Sequence, residues 1–205
     1  MASTIKVDQI ETVAGTGTIT LPSSNNLTVG GNATVTGTST LTGNVTATGL
    51  ITASAGVAVG GTGSANTLDD YEEGTATVTL NGGSGHPSTR LTTTAYYTKI
   101  GSTVHINFEF NNVSTTSYSG YISVFGLPFA ASSPSGTVTR QVCGEFGIYN
   151  MGTFSGDGGI WGRLNEGGTE IILWNNRSNN TWEQVTHSAG NSRYLMANLT
   201  YRTDS

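Results

Sequence analysis

Between residues 103 and 110 the chain alternates without a break: Val104, Ile106, Phe108 and Phe110 are apolar, and Thr103, His105, Asn107 and Glu109 are polar. Successive side chains on a strand point to opposite faces, so this run predicts a strand with one face buried and one in water. Further β-rich runs, with turn residues between them, occupy residues 75–80, 90–100, 120–125, 144–149, 159–164, 169–174 and 193–202. No helical period of useful length interrupts them. Short strands separated by Gly, Asn and Ser predict an all-β domain, and their spacing points to a β-sandwich head, jelly-roll-like in type.

A second pattern precedes this one. Residues 27–62 divide into six hexads, LTVGGN, ATVTGT, STLTGN, VTATGL, ITASAG and VAVGGT. The second position is Thr28, Thr34, Thr40, Thr46 and Thr52, and the fifth is Gly31, Gly37, Gly43, Gly49 and Gly61, with Ala55 in between. An even period keeps equivalent residues on one strand face. The odd positions are apolar or Gly apart from Ser39, whereas the even ones are mostly Thr, Asn, Ser and Gly. Natural strands run about 3 to 10 residues, so the recurring Gly predicts a bend or strand end in every hexad.

One chain wound alone would bury too little apolar surface to offset the entropy of ordering it. Three chains about a common axis would cover one another's apolar faces and pair one another's edges. The expectation is a homotrimer with an intertwined β-stalk over residues 27–68. A single-chain left-handed β-helix and a flexible linker are the alternatives.

Charge narrows the partners. Lys and Arg number 8 against 13 Asp and Glu, giving a net charge of -5, and no two basic residues adjoin. Neutralising phosphates takes clustered Lys and Arg, so nucleic acid is not an expected partner. No run approaches the ~20 apolar residues of a membrane span, and the start MASTIKVDQIE lacks the apolar core of a signal peptide. No membrane insertion is expected. Residues 12–68 carry no charge at all, and then Asp69, Asp70, Glu72 and Glu73 cluster around Tyr71. That cluster reads as a solvated linker between stalk and head rather than as a Ca²⁺ site, which would want more oxygens at loop spacing.

LDDYEEGT (residues 68–75), YYTKIGSTVHINFEF (96–110) and GLPF (126–129) resemble elements of phage tail-fibre and related virion proteins. The lead STIKVDQIETVAGTGTITLP (3–22) is similar to the start of phage structural proteins, and the hexads resemble fibre stalks. One departure is that the acidic element of that family continues with Trp and Pro, where this chain has Ala76 and Val78. The resemblance implies a tail fibre of a bacteriophage virion in three parts. Residues 1–26 would attach to other virion proteins, residues 27–68 would form the stalk, and residues 69–205 would form a head meeting a host cell-surface glycan or other receptor. A head fibre or capsid decoration protein without receptor binding is the second possibility.

Little in the chain suggests chemistry. His86 sits in a turn, His105 on the polar face of a strand and His187 in a loop, without metal-ligand spacing. The single cysteine, Cys143, allows no intrachain disulfide and reads as a small apolar filler. No cofactor, metal or catalytic residue is expected. A polysaccharide depolymerase is the enzymatic rival, for which Asp157, Glu166, Glu170 and Glu183 are the available carboxylates. Aromatic faces beside amide and guanidinium donors suit sugar rings, which makes Tyr149, Trp161, Arg163, Trp174, Asn176, Arg177 and Trp182 candidate glycan contacts. Core or trimer-interface packing is the competing explanation for each Trp.

Overall fold

The computed structural model describes residues 27–61, 63, 66–132, 140–153, 158–176 and 181–204. The expected attachment segment, residues 1–26, lies outside the described residues. The chain divides into two units after Ile51.

In the second unit the strands are β1 (Val57–Ala58), β2 (Thr67–Leu68), β3 (Tyr71–Gly82), β4 (Thr92–Ile100), β5 (Thr103–Val113), β6 (Ile122–Phe125), β7 (Arg140–Tyr149), β8 (Gly152–Thr153), β9 (Ile160–Asn165), β10 (Glu170–Asn175), β11 (Glu183–Gln184), β12 (Thr186–His187) and β13 (Arg193–Arg202). The long ones coincide with the runs read from the sequence. They hydrogen-bond in the order β3, β4, β5, β13, β7, β9, β10, β6, and β6 returns to β3. Every neighbouring pair is antiparallel.

This is a closed eight-stranded barrel, and the expectation of a β-sandwich needs correcting. A sandwich consists of two sheets, each with free edges. Here β10 joins the ends of one sheet, pairing through Ile171 with Val124 of β6 on one side and through Leu173 with Gly162 of β9 on the other. Closure leaves no barrel strand without a neighbour on each side, which removes the edge problem altogether. The small β11 extends the β6 side of β10 through Trp174↔Gln184. Two further ladders are short, β1 with β2 and β8 with β12.

Alternation decides what fills the barrel. Val78 and Leu80, Val104 to Phe110 in steps of two, Leu164, Ile171 and Leu173, and Leu195 to Tyr201 in steps of two are all buried. Their neighbours His105, Asn107, Glu109, Asn198 and Thr200 face water. Apolar inside and polar outside is the reverse of a transmembrane barrel. Cys143 is buried as a filler, and burial pushes its thiol up to about 12. His187, expected in a loop, lies instead on β12, where its Nε2 is 3.0 Å from the Asn81 carbonyl and burial lowers its pKa.

The acidic cluster is also more than a linker. Residues 71–74 begin β3 and pair with β4, so that two of the virion-like motifs lie side by side. Asp70 forms an ion pair with Lys99, which is 5% exposed, and the Tyr97 hydroxyl donates to Glu72. A Cβ on Gly74 would lie 2.6 Å from the Tyr97 hydroxyl, so this position has to be Gly for the ring to lie there. Phe129 of the third motif packs edge-on against Tyr97 at 5.4 Å, with the Lys99 ammonium 5.6 Å from its ring.

The hexads behave differently. Residues 27–56 form no strand within the chain, and the backbone bends at residues 30–31, 36–37, 43, 48–49, 54–55 and 60–61, once per hexad. The apolar odd positions stand bare, with Leu27, Val35, Leu41, Val45 and Ile51 each more than three-fifths exposed. A Cβ added at Gly31, Gly37, Gly43 or Gly49 would meet nothing within 4 Å, whereas at Gly61 it would meet Asn66. Within one chain, therefore, the first four of these glycines have no steric reason to be Gly. The sixth hexad departs from the rest, because its Val57 and Ala58 form β1 and pair with Leu68 and Thr67.

Candidate functional site

The site begins with an irregularity in β7. Cys143 and Phe146 are both buried although three residues apart, an odd spacing that a regular strand cannot turn to one face. A register shift between Val142 and Glu145 resolves the conflict, with Gly144 at φ +132 inside it. A β-bulge of this kind re-aims the side chain that follows. Glu145 consequently comes opposite Trp161 on β9, on the outer face of the barrel.

Trp161 in turn pairs with Trp174 on β10, and Trp174 pairs with Gln184 on β11, while Glu145 pairs with Asn198 on β13. The result is one row across five strands: Asn198, Glu145, Trp161, Trp174, Gln184. Although it points outward, Trp161 is only 8% exposed, because other rings cover it. Trp174 stacks with it at 6.3 Å and 24°, and Trp182 meets it edge-on at 5.3 Å. Arg163 lays its guanidinium 4.1 Å from the Trp174 ring. The Trp161 indole N–H donates to Asn176 Oδ1 at 2.9 Å, which fixes the amide with its NH₂ turned away from the indole.

Against this row opens a cleft of about 370 Å³, lined by Gly144, Glu145, Gly159, Ile160, Trp161, Asn176 and Trp182. It is of small-ligand size. Trp182 is 61% exposed and offers most of its ring surface to a ligand. Among the described residues, Glu145 is the only charged one in the lining. A second cleft of about 470 Å³ is lined by Thr93, Thr94, Tyr96, Asn107, Phe108, Glu109 and Ala197, and is the more polar of the two.

Of the candidate glycan contacts, the fold brings Trp161, Asn176 and Trp182 into one cleft and sets Trp174 and Arg163 behind them. Tyr149 lies apart, four residues beyond Glu145 on β7, or ~13 Å at the rise of a strand, where it packs against Tyr194. Arg177 lies outside the described residues. Asn175 is wholly buried on the inward face of β10. Glu145 was missed in the sequence because a Glu in a strand reads as a solvated face. The signal for it was the phase break between Cys143 and Phe146.

Of the carboxylates weighed for hydrolysis, those described scatter. Asp157 is outside the described residues and Glu166 occupies an exposed turn. Glu170 accepts from Ser123 Oγ at 2.6 Å and from Asn81 Nδ2 at 3.4 Å, which ties β10 to β6 and β3. Glu183 sits half-buried on β11. None of Glu166, Glu170 and Glu183 lines the tryptophan cleft. Among the described residues no group of three His, Cys, Asp or Glu is placed to hold a metal ion. No protein-family model matches the chain, and neither does any curated protein.

Proposed function

We propose that this chain is a structural fibre protein of a bacteriophage virion, a tail fibre that assembles as a homotrimer and attaches the particle to a host-surface polysaccharide or other receptor. The observation that carries the reading is the bare apolar face of the hexads. Leu27, Val35, Leu41, Val45 and Ile51 of a period-six segment are exposed in the single chain, and nothing among the described residues covers them. Further copies of the same segment fit that face, since each presents the same row at the same spacing. An intertwined trimeric β-stalk over residues 27–68 is the arrangement that pairs every edge.

The resemblance of LDDYEEGT, YYTKIG and GLPF to virion proteins supports the same reading, and these motifs pack on one another in the barrel. The tryptophan cleft supplies the surface for receptor contact. Residues 1–26 attach the fibre to the rest of the virion.

Two measurements test this. Sedimentation of the full chain should give a trimer, and a concentration-independent monomer or a dimer would refute the stalk. Fluorescently labelled protein should bind host cells through the barrel. Binding to the capsid shell combined with no affinity for any host-surface fraction would instead establish a capsid decoration protein.

A further inference from the structure

Resting on the glycan-binding reading above, we infer that the tryptophan cleft selects an uncharged sugar over an acidic one, and that Glu145 is the residue that makes the selection. The ligand class is a short neutral or N-acetylated saccharide, as opposed to a uronate, a sialylated glycan or a phosphorylated one.

The lining divides into three kinds of contact. Trp182 gives a broad exposed ring, and Trp161 closes the floor behind it at 5.3 Å and 82°. Such rings take the C–H face of a pyranose. Asn176, with its Oδ1 engaged by Trp161, is left with its NH₂ as a donor to a hydroxyl oxygen. Glu145 is acceptor-only when ionised and takes sugar O–H donors in charge-assisted bonds. Gly144 and Gly159 complete the rim without side chains, and a Cβ on Gly159 would meet nothing within 4 Å, so that edge stays open to a chain continuing outward.

The same carboxylate acts against an anion. A sugar carboxylate seated on Trp182 would lie beside Glu145 with no cation in the described lining to offset it. Arg163 does not reverse this, because its guanidinium lies on Trp174, one ring further along the row from Trp161. Discrimination here needs a repulsive element as well as attractive ones. The bulge supplies it: without the extra residue at Gly144, Glu145 would stand one place further along β9, opposite Ile160.

All three tryptophans of the chain belong to this cluster, so tryptophan fluorescence, excited selectively over tyrosine, reads the site. The experiment presents the full-length protein to an array of neutral, N-acetylated and acidic glycans, followed by fluorescence titration with each glycan that binds. The expected hits are neutral or N-acetylated, weakened at least tenfold by Trp182→Ala, with Glu145→Lys extending binding to acidic glycans. Thermal melting of Trp182→Ala checks that the barrel keeps its fold once Trp161 loses this edge-on partner. Acidic glycans that bind the unaltered protein and are lost in Trp182→Ala would overturn the selectivity while leaving the glycan-binding reading intact. Neutral glycans whose binding ignores both Trp182→Ala and Glu145→Lys would remove the cleft as the site. No glycan bound, with fluorescence unmoved by any of them, would overturn the glycan-binding reading itself.

Discussion

The hexads and the barrel are written in the same alternating code, and among the described residues only the barrel finds its cover within the chain. In β5, Val104, Ile106, Phe108 and Phe110 are buried because seven other strands curl round to meet them. In the hexads, Val29, Val35, Leu41 and Val45 keep the same two-residue rhythm and remain exposed. Alternation specifies which face seeks burial, and it is silent on whether the covering surface belongs to the same molecule. The large residues of the barrel close a core by themselves, whereas the Val, Ala and Gly of the hexads bury little apolar surface each, and the proposed trimer would supply the missing cover.

The strongest way to break this contrast is to spoil the bare face. Val35→Asp together with Leu41→Asp should abolish the trimer in sedimentation while leaving the barrel's melting transition in place, since neither residue lies in the barrel. Loss of both together would tie the two regions into one folding unit. The converse change is Phe110→Ala, which removes a ring that is 1% exposed. It should cost the barrel about 3–5 kcal/mol in denaturant titration, with the trimer mass retained under native conditions.

Glycine sharpens the comparison further. A side chain at Gly37 has open space within the chain. If Gly37→Val nevertheless lowers the trimer's melting temperature more than Thr40→Val does, the restriction acts between chains. Equal effects would show that the fifth position has no steric role.

Two titrations report on the barrel and on β12, which is hydrogen-bonded to it through His187 and Asn81. The Cys143 thiol, raised from 9.0 to about 12, keeps its full contribution to stability below pH 9 and loses it as pH climbs from 9 towards 12, because the unfolded chain ionises first. A thiol reagent should leave it unlabelled in the native protein and label it fully in denaturant. His187 has the opposite sign. Its pKa is lowered from 6.5 by burial, so stability is complete above pH 6.5 and declines as pH falls below it, when the unfolded chain takes up the proton first. That acid slope should flatten in His187→Gln, as followed by thermal melting against pH.

Much of the barrel was legible in advance. Each long strand matches a run picked out by alternation and turn residues, with boundaries a few residues off where β3 reaches back into the acidic cluster and β7 starts at Arg140. Closure was not legible. Alternation assigns faces, but a sandwich and a barrel assign them alike, and what separates the two is that β10, besides its hairpin partner β9, also pairs with β6, as Glu170 does with Phe125. The site was half legible. Trp182 stands between polar Thr181 and Glu183, and Trp161 two residues before Arg163, whereas the partnership of Glu145 with Trp161 depends on the bulge. Tyr149 was grouped with them by nearness in sequence, and strand geometry carries it away.

The place of β13 in the barrel has a consequence for the order of events during synthesis. Residues 193–202 are inserted between β5 and β7, holding Leu199 against both Ile106 and Gly144. No ring of strands can close until they have left the ribosome. The hexads emerge well over a hundred residues earlier, when β5 still lacks a neighbour separated from it by some ninety residues of chain. Contacts of such range form slowly, and unpaired edges wait exposed in the meantime. In the proposed trimer, chains growing side by side on one message would therefore have their repeats available to one another before any of them could complete its barrel, and assembly would precede closure of the barrel.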